Sequence, residues 1–370
     1  MRLRKTEASW VESANRWQIN VQVDGVRRTF TCATPGKRGK AAAERKADTW
    51  LENQTVGENT KCCVMLDKYV ERLKVTTSKS NWHNAEIYVN ARIRPVIGER
   101  RMSQLTEQHL QTCIDLAYAD GLSARTLRNI KAYILAWLKY CRKARVTTLH
   151  PEDLQIPTGA RKSQKSVATP EDIRILFSHD QSKWHMTECF DHFVHAYRFA
   201  CLTGLRPGEL LALRWSDVAP DGLSISIKQA FNDVGEFTAG KNDNARRTIV
   251  LGDLAAAEVQ QQREYLRSIA MVSEYVFPAR DANVARQPVY RHAWNNYKAY
   301  NGISNITPYE MRHTFVSATK EMPEGLKKMV VGHSKDMDTE GTYGHEMDGD
   351  LQAAAGYTDA AFRKILSGTH

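Results

Sequence analysis

Residues 16–33 read RWQINVQVDGVRRTFTCA, and no other stretch so narrows what the front of the chain can fold into. Trp17, Ile19, Val21 and Val23 alternate with Gln18, Asn20 and Gln22, which is the period of a strand with one buried face. Asp24-Gly25 sits between two such runs and supplies a tight turn, so the run from Val26 to Ala33 is expected to pair back. From Lys37 to Asn53 the chain turns to Ala, Lys, Arg and Glu, which predicts a helix. Residues 1–56 therefore read as a small β-rich domain carrying one helix.

The period changes after that. Gln54 to Lys61 is polar and contains glycine, as a linker does. Helices are predicted over Cys62–Leu73, Asn81–Arg92, Thr106–Ala119 and Ser123–Arg145. In the last of these, Ser123 is the cap and Leu127, Ile130, Ile134, Leu135 and Leu138 form the apolar stripe. Arg125, Arg128, Lys131, Lys139, Arg142 and Lys143 lie off that stripe. Residues 62–156 thus form a second, helical domain. His150 to Val167 carries two prolines and Arg161, Lys162 and Lys165, and reads as an extended linker able to follow a phosphate backbone. A new helix opens at Thr169-Pro170 and the third domain, 165–370, follows.

Charge divides along the same lines. Residues 1–60 carry 11 Lys and Arg against 7 Asp and Glu, and residues 61–160 carry 16 against 9. Residues 161–370 carry 25 against 26, so the whole excess of +10 lies in the first two domains. Separate modules that grip nucleic acid ahead of a neutral domain have this distribution, and so does a solvated basic surface. The seven cysteines form no C-x-x-C pair, which points to reduced thiols. Cys62 and Cys63 are expected to be buried packing at a helix start. The first residues lack the apolar core of a signal peptide, and no run reaches the ~18 apolar residues that span a bilayer. A cytoplasmic protein without membrane contact is expected.

The third domain holds the residues with chemistry in them. Arg206 stands in TGLRPGELLALRW, where the Gly204–Gly208 turn would present it at a helix start beside Glu209. Arg312 stands in YEMRHTF, Lys241 in FTAGKNDNARRTIVL between two predicted strands (Leu223–Ala230 and Arg246–Leu251), His333 in VVGHS, and Tyr343 in GTYGH ahead of His345. Two guanidiniums bind phosphate oxygens bidentately, and a phenol in a polar, glycine-flanked setting can act as a nucleophile toward that phosphate.

These motifs, at this separation, resemble the active site of the tyrosine recombinase (phage integrase) family. The resemblance implies that Arg206 and Arg312 clamp a scissile phosphate. It implies that Lys241 protonates the departing 5′ oxygen and that His333 holds the phosphate. Tyr343 is then the nucleophile of a 3′-phosphotyrosyl link. Tyr309 stands where the family usually has histidine. A phenol with a pKa near ~10 is a poor base at neutral pH but a sound hydrogen-bond donor, so Tyr309 is read as a phosphate contact. Tyr297, Tyr300 and Tyr357 lack this context and read as packing or surface residues.

Residues 1–56 resemble the AP2-like arm-binding domain of such integrases, with Arg16, Arg27 and Arg28 on a sheet face toward DNA. Residues 62–156 resemble their SAM-like core-binding domain, with Lys139, Arg142 and Lys143 as candidate backbone contacts, joined by Arg161 and Lys162. The expected fold is multidomain, mainly α with small β-sheets, ending in a mixed α+β catalytic domain. The resemblance implies double-stranded DNA with core and arm sites as partner and a homotetramer on that DNA. It also implies a small excisionase-like protein and a host DNA-bending protein, and neither metal nor other cofactor. No GxxxxGK[ST] loop is present to suggest ATP. Residues 350–366 read as a helix that packs on a neighbouring subunit or folds back on its own domain. A type IB topoisomerase, which shares this active site, and a silent attachment-site binding protein are the alternative readings.

Overall fold

The computed structural model describes residues 6–23, 26–54, 57–162, 165–184, 187–239, 246–332 and 349–368. The chain divides into two compact units, Met1–Ser163 and Gln164–His370.

Unit 1 opens with an antiparallel sheet of β1 (Ser9–Val11), β2 (Arg16–Val23) and β3 (Val26–Cys32), in that order. Helix α1 (Gly36–Gln54) covers one face. Ile19 and Val21 are buried there with Ala43, Ala47, Trp50 and Leu51, and Phe30 and Trp17 pack at the margin. The strand pair expected from the alternation is present. Asp24 and Gly25 lie outside the described residues.

The helical part runs through α2 (Cys62–Thr76), α3 (Lys79–Tyr88), α4 (Arg94–Ile97), α5 (Glu107–Ala119) and α6 (Ala124–Lys143). Between α3 and α4 the backbone passes through a π turn at Val89–Ile93. Pro95, which has no N–H to donate back, lies in the first turn of α4 and accounts for the irregularity. Ser123 caps α6 by accepting from the Thr126 N–H at 3.3 Å. Leu127, Ile130, Ile134, Trp137, Leu138 and Cys141 are buried along α6. The expected stripe is corrected at one position. Leu135 is 37% exposed, because the helical period brings Trp137 and Leu138 to the core and turns Leu135 outward. Of the cysteine pair only Cys62 is buried; Cys63 is half-buried.

The expected linker after His150 is also corrected. The Glu107 carboxylate accepts from the N–H groups of Glu152 (3.1 Å) and Asp153 (2.9 Å). Gln111 exchanges two hydrogen bonds with the Gln155 backbone, at 2.8 and 3.0 Å. Lys131 donates to the Leu154 carbonyl, and the Arg161 carbonyl accepts from Ala124 at 2.9 Å. Leu154 and Ala160 are buried. The segment is a strap bound across α5 and α6, because Glu107 and Gln111, one turn apart, meet its free backbone groups.

Unit 2 begins with α7 (Pro170–Ser178), capped by a reciprocal box between Thr169 and Asp172. A hairpin of β4 (Gln181–Trp184) and β5 (Thr187–Phe190) leads to α8 (Val194–Thr203), every residue of which is buried. Then come α9 (Pro207–Leu211), β6 (Ser224–Ile227), β7 (Ala230–Phe231), β8 (Phe237–Thr238), β9 (Arg247–Val250), α10 (Asp253–Ser268) and α11 (Gln287–Asn301). The chain ends with α12 (Glu310–Ala318), α13 (Glu324–Val331) and α14 (Asp350–Ser367). Strand β6 pairs with β9, as expected, but β7 and β8 form a second hairpin between them. Tyr197 sits against Tyr290, Trp294 and Tyr297 with ring centroids 4.9–5.3 Å apart. Tyr297 is thus a packing residue, while Tyr300 donates to Glu188 at the surface. Helix α14 folds back on its own unit: Phe362 is buried, and the Asp359 carboxylate caps α10 at the Asp253 N–H, 2.6 Å away.

The register of α6 is directly testable. Ile134→Ala should cost about 2–5 kcal/mol of stability in urea unfolding. Leu135→Ala, one residue on, should cost well under half of that.

Candidate active site

Four elements of unit 2 meet around one carboxylate. Helix α8 stops at Gly204, whose φ of 63° is the left-handed conformation that ends a helix most readily at glycine. A side chain there would also run into the Phe315 ring, 2.7 Å from an added Cβ. The chain then turns so that Arg206 becomes the residue before α9, with Pro207 at its first position. Glu209, three residues on, receives the Arg206 N–H at 3.1 Å and the Arg206 guanidinium at 2.8 Å.

Glu209 has a second cation. Arg247 at the start of β9 donates to its two oxygens at 3.3 and 2.9 Å, and its Nε donates to the Val330 carbonyl at 2.7 Å. Both side chains are nearly dry, at 8% exposure for Arg247 and 4% for Glu209. Burial by itself would raise the Glu209 carboxyl; the hydrogen bond and charge of Arg247, with Arg206 behind it, outweigh this and hold it below the ordinary carboxylate range. Arg206 keeps one nitrogen for the Gly332 carbonyl, 3.2 Å away, and remains about a third exposed.

Arg312, on the first turn of α12, is 3% exposed. One of its nitrogens donates to the Gly204 carbonyl at 2.9 Å. The other, Nη2, is buried and has no partner among the described residues. Burial pulls this guanidinium down to about 10, with repulsion from Arg206 adding to the effect and Glu209 opposing it. It is still a cation at neutral pH. Tyr309 is 47% exposed and meets the His313 ring edge-on at 5.4 Å; its carbonyl accepts from the Arg312 N–H at 3.2 Å, and its hydroxyl makes no hydrogen bond among the described residues. Glu310 holds the loop before α12 by accepting from the Ser166 and Thr307 N–H groups at 2.9 and 2.6 Å. Partial burial holds His313 below its usual value, with the charge of Lys165 acting in the same direction.

Of the candidate catalytic residues, Arg206, Arg312 and Tyr309 are thus described, and the first two share the Gly204–Glu209 turn. Lys241, His333 and Tyr343 lie outside the described residues, as does His345. The chain leaves the described structure at Gly332, the residue before His333, where the Gly332 carbonyl is bound by Arg206. Sequence reading gave Arg247 no role. The signal is present, since Arg247 shares its strand parity with buried Ile249 and so points a charge inward. Two backbone acceptors, the Gly204 and Val330 carbonyls, leave no trace in a sequence.

The candidate DNA contacts lie in unit 1. Arg16 and Arg27 leave one face of the sheet, but Arg28 is the partner of buried Val21 and leaves the other. Adjacent residues of a strand cannot share a face, which corrects the expected trio. Lys139 and Lys143 make no ion pair among the described residues, whereas Arg142 donates to the Leu149 carbonyl at 3.0 Å. Arg161 and Lys162 are exposed at the end of the strap. Among the described residues no group of His, Cys, Asp and Glu is placed to hold a metal ion, and no helix is long and apolar enough to cross a membrane.

Residues 168–349 match the phage integrase family, and residues 65–115 match the phage integrase N-terminal SAM-like domain. Prophage integrase IntR of Escherichia coli (strain K12) is 24% identical over 216 residues, 53% of this chain and 50% of its own length. The match therefore spans half of that relative. The Tn1549 transposon integrase, in complex with a circular intermediate DNA, shares the fold with a TM-score of 0.62 at 17% identity, over 79% of this chain and 98% of that one. A lambda integrase tetramer bound to a Holliday junction does so with a TM-score of 0.57 at 16% identity, over 92% and 96%.

The buried carboxylate has a measurable pH signature. Because its folded pKa is depressed, Glu209 contributes stability that is present above its unfolded value, near ~4.3, and is lost as pH falls through the folded one. Glu209→Gln should cost about 3–5 kcal/mol at pH 7 in urea unfolding, and the gap from wild type should narrow steadily below about pH 4. A gap independent of pH would contradict the assignment.

Proposed function

As the chain belongs to the phage integrase family of DNA strand-exchange enzymes, we propose that it is a site-specific tyrosine recombinase that integrates and excises a mobile element or prophage. The observation that carries this reading is the turn in which two guanidiniums meet. Arg206 is pinned by Glu209 yet partly exposed, and Arg312 is buried with one nitrogen unpartnered among the described residues. A tetrahedral phosphate diester offers two non-bridging oxygens to two such cations, and both charges persist at neutral pH.

In this reading Tyr343 attacks the clamped phosphorus. Its phenolic oxygen forms the 3′-phosphotyrosyl bond as the bond to the 5′ oxygen breaks. Lys241 gives that oxygen its proton, while His333 and Tyr309 donate hydrogen bonds to the phosphate. The 5′ hydroxyl of a second strand reverses the step and releases tyrosine. The energy of the diester stays in the covalent link, so the strand transfer itself consumes no ATP. Glu209 and Arg247 are positioning residues, since they act on DNA only through Arg206.

Double-stranded DNA is the partner, in keeping with the DNA bound in the integrase structures that share the fold. We take the active form to be a homotetramer on core sites in the cytoplasm, with an excisionase-like protein and a host DNA-bending protein as accessories. The domains are 1–56 for arm sites, 62–156 for core sites with the strap continuing it, and 165–370 for catalysis. Lys139, Lys143, Arg161 and Lys162 are the proposed backbone contacts.

The test is incubation with attachment-site plasmid in EDTA without ATP, scored for SDS-resistant protein–DNA adducts. Wild type should form them and Tyr343→Phe should form none while binding DNA equally well. Arg206→Ala and Arg312→Ala should each slow adduct formation by roughly 10²–10³-fold. Adducts that persist in Tyr343→Phe would refute the nucleophile. Recombinant products separate strand exchange from the mere relaxation expected of a topoisomerase.

A further inference from the structure

Between β6 and β9 the chain forms an extra hairpin, with Ala230 opposite Thr238 and Phe231 opposite Phe237. Its turn is stiffened from within. The Asn232 side-chain oxygen accepts from the N–H groups of Val234 and Glu236 at 3.1 and 2.8 Å, and Gly235 takes a left-handed φ of 79°. The hairpin is seated beside the arginine turn. The Phe231 carbonyl accepts from the Gln287 amide at 2.7 Å, and a Cβ added at Gly208 would stand only 2.7 Å from the same oxygen. Gly208 lies between Pro207 and Glu209, so β7 rests on the turn that presents Arg206.

Phe237 holds β8 in place. Its ring packs on Phe231 with centroids 4.8 Å apart and lies parallel to Tyr275 at 6.4 Å. The Arg214 guanidinium covers Phe237 and Tyr275, 5.8 and 5.5 Å from their centroids, and is itself paired with Glu274 at 3.3 Å. Phe231 and Tyr275 are buried, whereas Phe237 is 42% exposed. The stack stands apart from the main core of unit 2. It does little for that core, but it fixes where β8 ends.

We propose that the β7–β8 hairpin is a positioning device for the proton donor of strand cleavage, and that Phe237 is the side chain on which it depends. The inference rests on the reading of Lys241 as the residue that protonates the departing 5′ oxygen, and it assigns what aims that lysine. Strand β8 ends at Thr238, three residues before Lys241, so chain length keeps the lysine backbone within ~11 Å of a fixed point. Six residues after Lys241, Arg247 is bound to Glu209. Both flanks of Lys241 are thus tied to the turn at Arg206 and Glu209, one through Phe231 and one through an ion pair. Proton transfer needs the donor within hydrogen-bond reach of the leaving oxygen, and a misplacement of about 1 Å can cost roughly 10²-fold.

The test separates aim from fold by changing the leaving group. An attachment-site duplex is made with sulfur in place of the scissile 5′ oxygen, at the cleavage position mapped with wild type. There the bond from Tyr343 to phosphorus forms as the phosphorus–sulfur bond breaks, and sulfur leaves as a thiolate that needs no proton, since thiols ionise near ~8.5. Adduct formation by the full-length protein is timed on both duplexes in a single turnover. On the oxygen duplex Phe237→Ala should be slowed roughly 10–100-fold with DNA binding unchanged, while Phe237→Tyr, which keeps a ring in the stack, should lose little. On the sulfur duplex Phe237→Ala and Lys241→Ala should both match wild type. A slow Phe237→Ala that sulfur does not restore, although it restores Lys241→Ala, would mean a merely structural role and overturn the inference. So would a Phe237→Ala variant as fast as wild type on the oxygen duplex. If sulfur fails to restore Lys241→Ala, the proton-donor assignment falls and this inference with it, while adducts that still require Tyr343 leave the recombinase reading standing.

Discussion

A nearly dry carboxylate organises the arginine cluster of unit 2. Glu209 lies between the guanidiniums of Arg206 and Arg247, with Arg312 close enough to feel its charge. Three permanent cations packed this closely would repel one another strongly in a medium that screens poorly. One buried anion makes the cluster tolerable, and it stays ionised because two guanidiniums hydrogen-bond it. Removing it would leave Arg247 buried beside its like-charged neighbours, supported by the Val330 carbonyl among the bonds described.

The same interaction ties distant pieces of sequence into one site. Arg206 comes from the turn after α8, Arg247 from β9 and the Gly332 carbonyl from the end of α13. Glu209 and the Val330 carbonyl link the first two to the third. Arg312 reaches the same turn from α12 by binding the Gly204 carbonyl. Each cation is thus held by backbone or by a buried carboxylate. A phosphate binding here would meet donors already in place, which is how electrostatic stabilisation avoids a reorganisation cost at the moment of reaction. The aromatic packing around Tyr197, which buries α8 on every side, keeps that turn in position.

Positive charge is used differently in the two units. Unit 2 is almost neutral overall and brings three of its arginines, Arg206, Arg247 and Arg312, to one turn. Unit 1 holds the basic excess, but part of it serves the fold: Lys131 and Arg142 bind carbonyls of the segment that follows α6. The arginines of the sheet separate by parity, so Arg16 and Arg27 share a face and Arg28 does not. Charge counts along a sequence cannot make these distinctions, because a cation bonded to a carbonyl and one facing solvent have the same composition.

The sequence alone determined most of the element plan, for local reasons. Alternation over Trp17–Val21 needed only a strand pair, Ser123 and Thr169 needed only their own helix turns, and Gly204-x-Arg206-Pro207 carried its helix start within four residues. It also pointed to Glu209 as the partner of Arg206, since the two are one turn apart. Tertiary structure decided what depends on groups far apart in the chain. The inward use of Arg247, the carbonyls that hold Arg206 and Arg312, the strap seated on Glu107 and Gln111, and the return of α14 onto its own unit all join residues more than 35 positions apart. Residue types state what each side chain can bond. Only the fold supplies the backbone acceptors and the low dielectric that determine which of those bonds form.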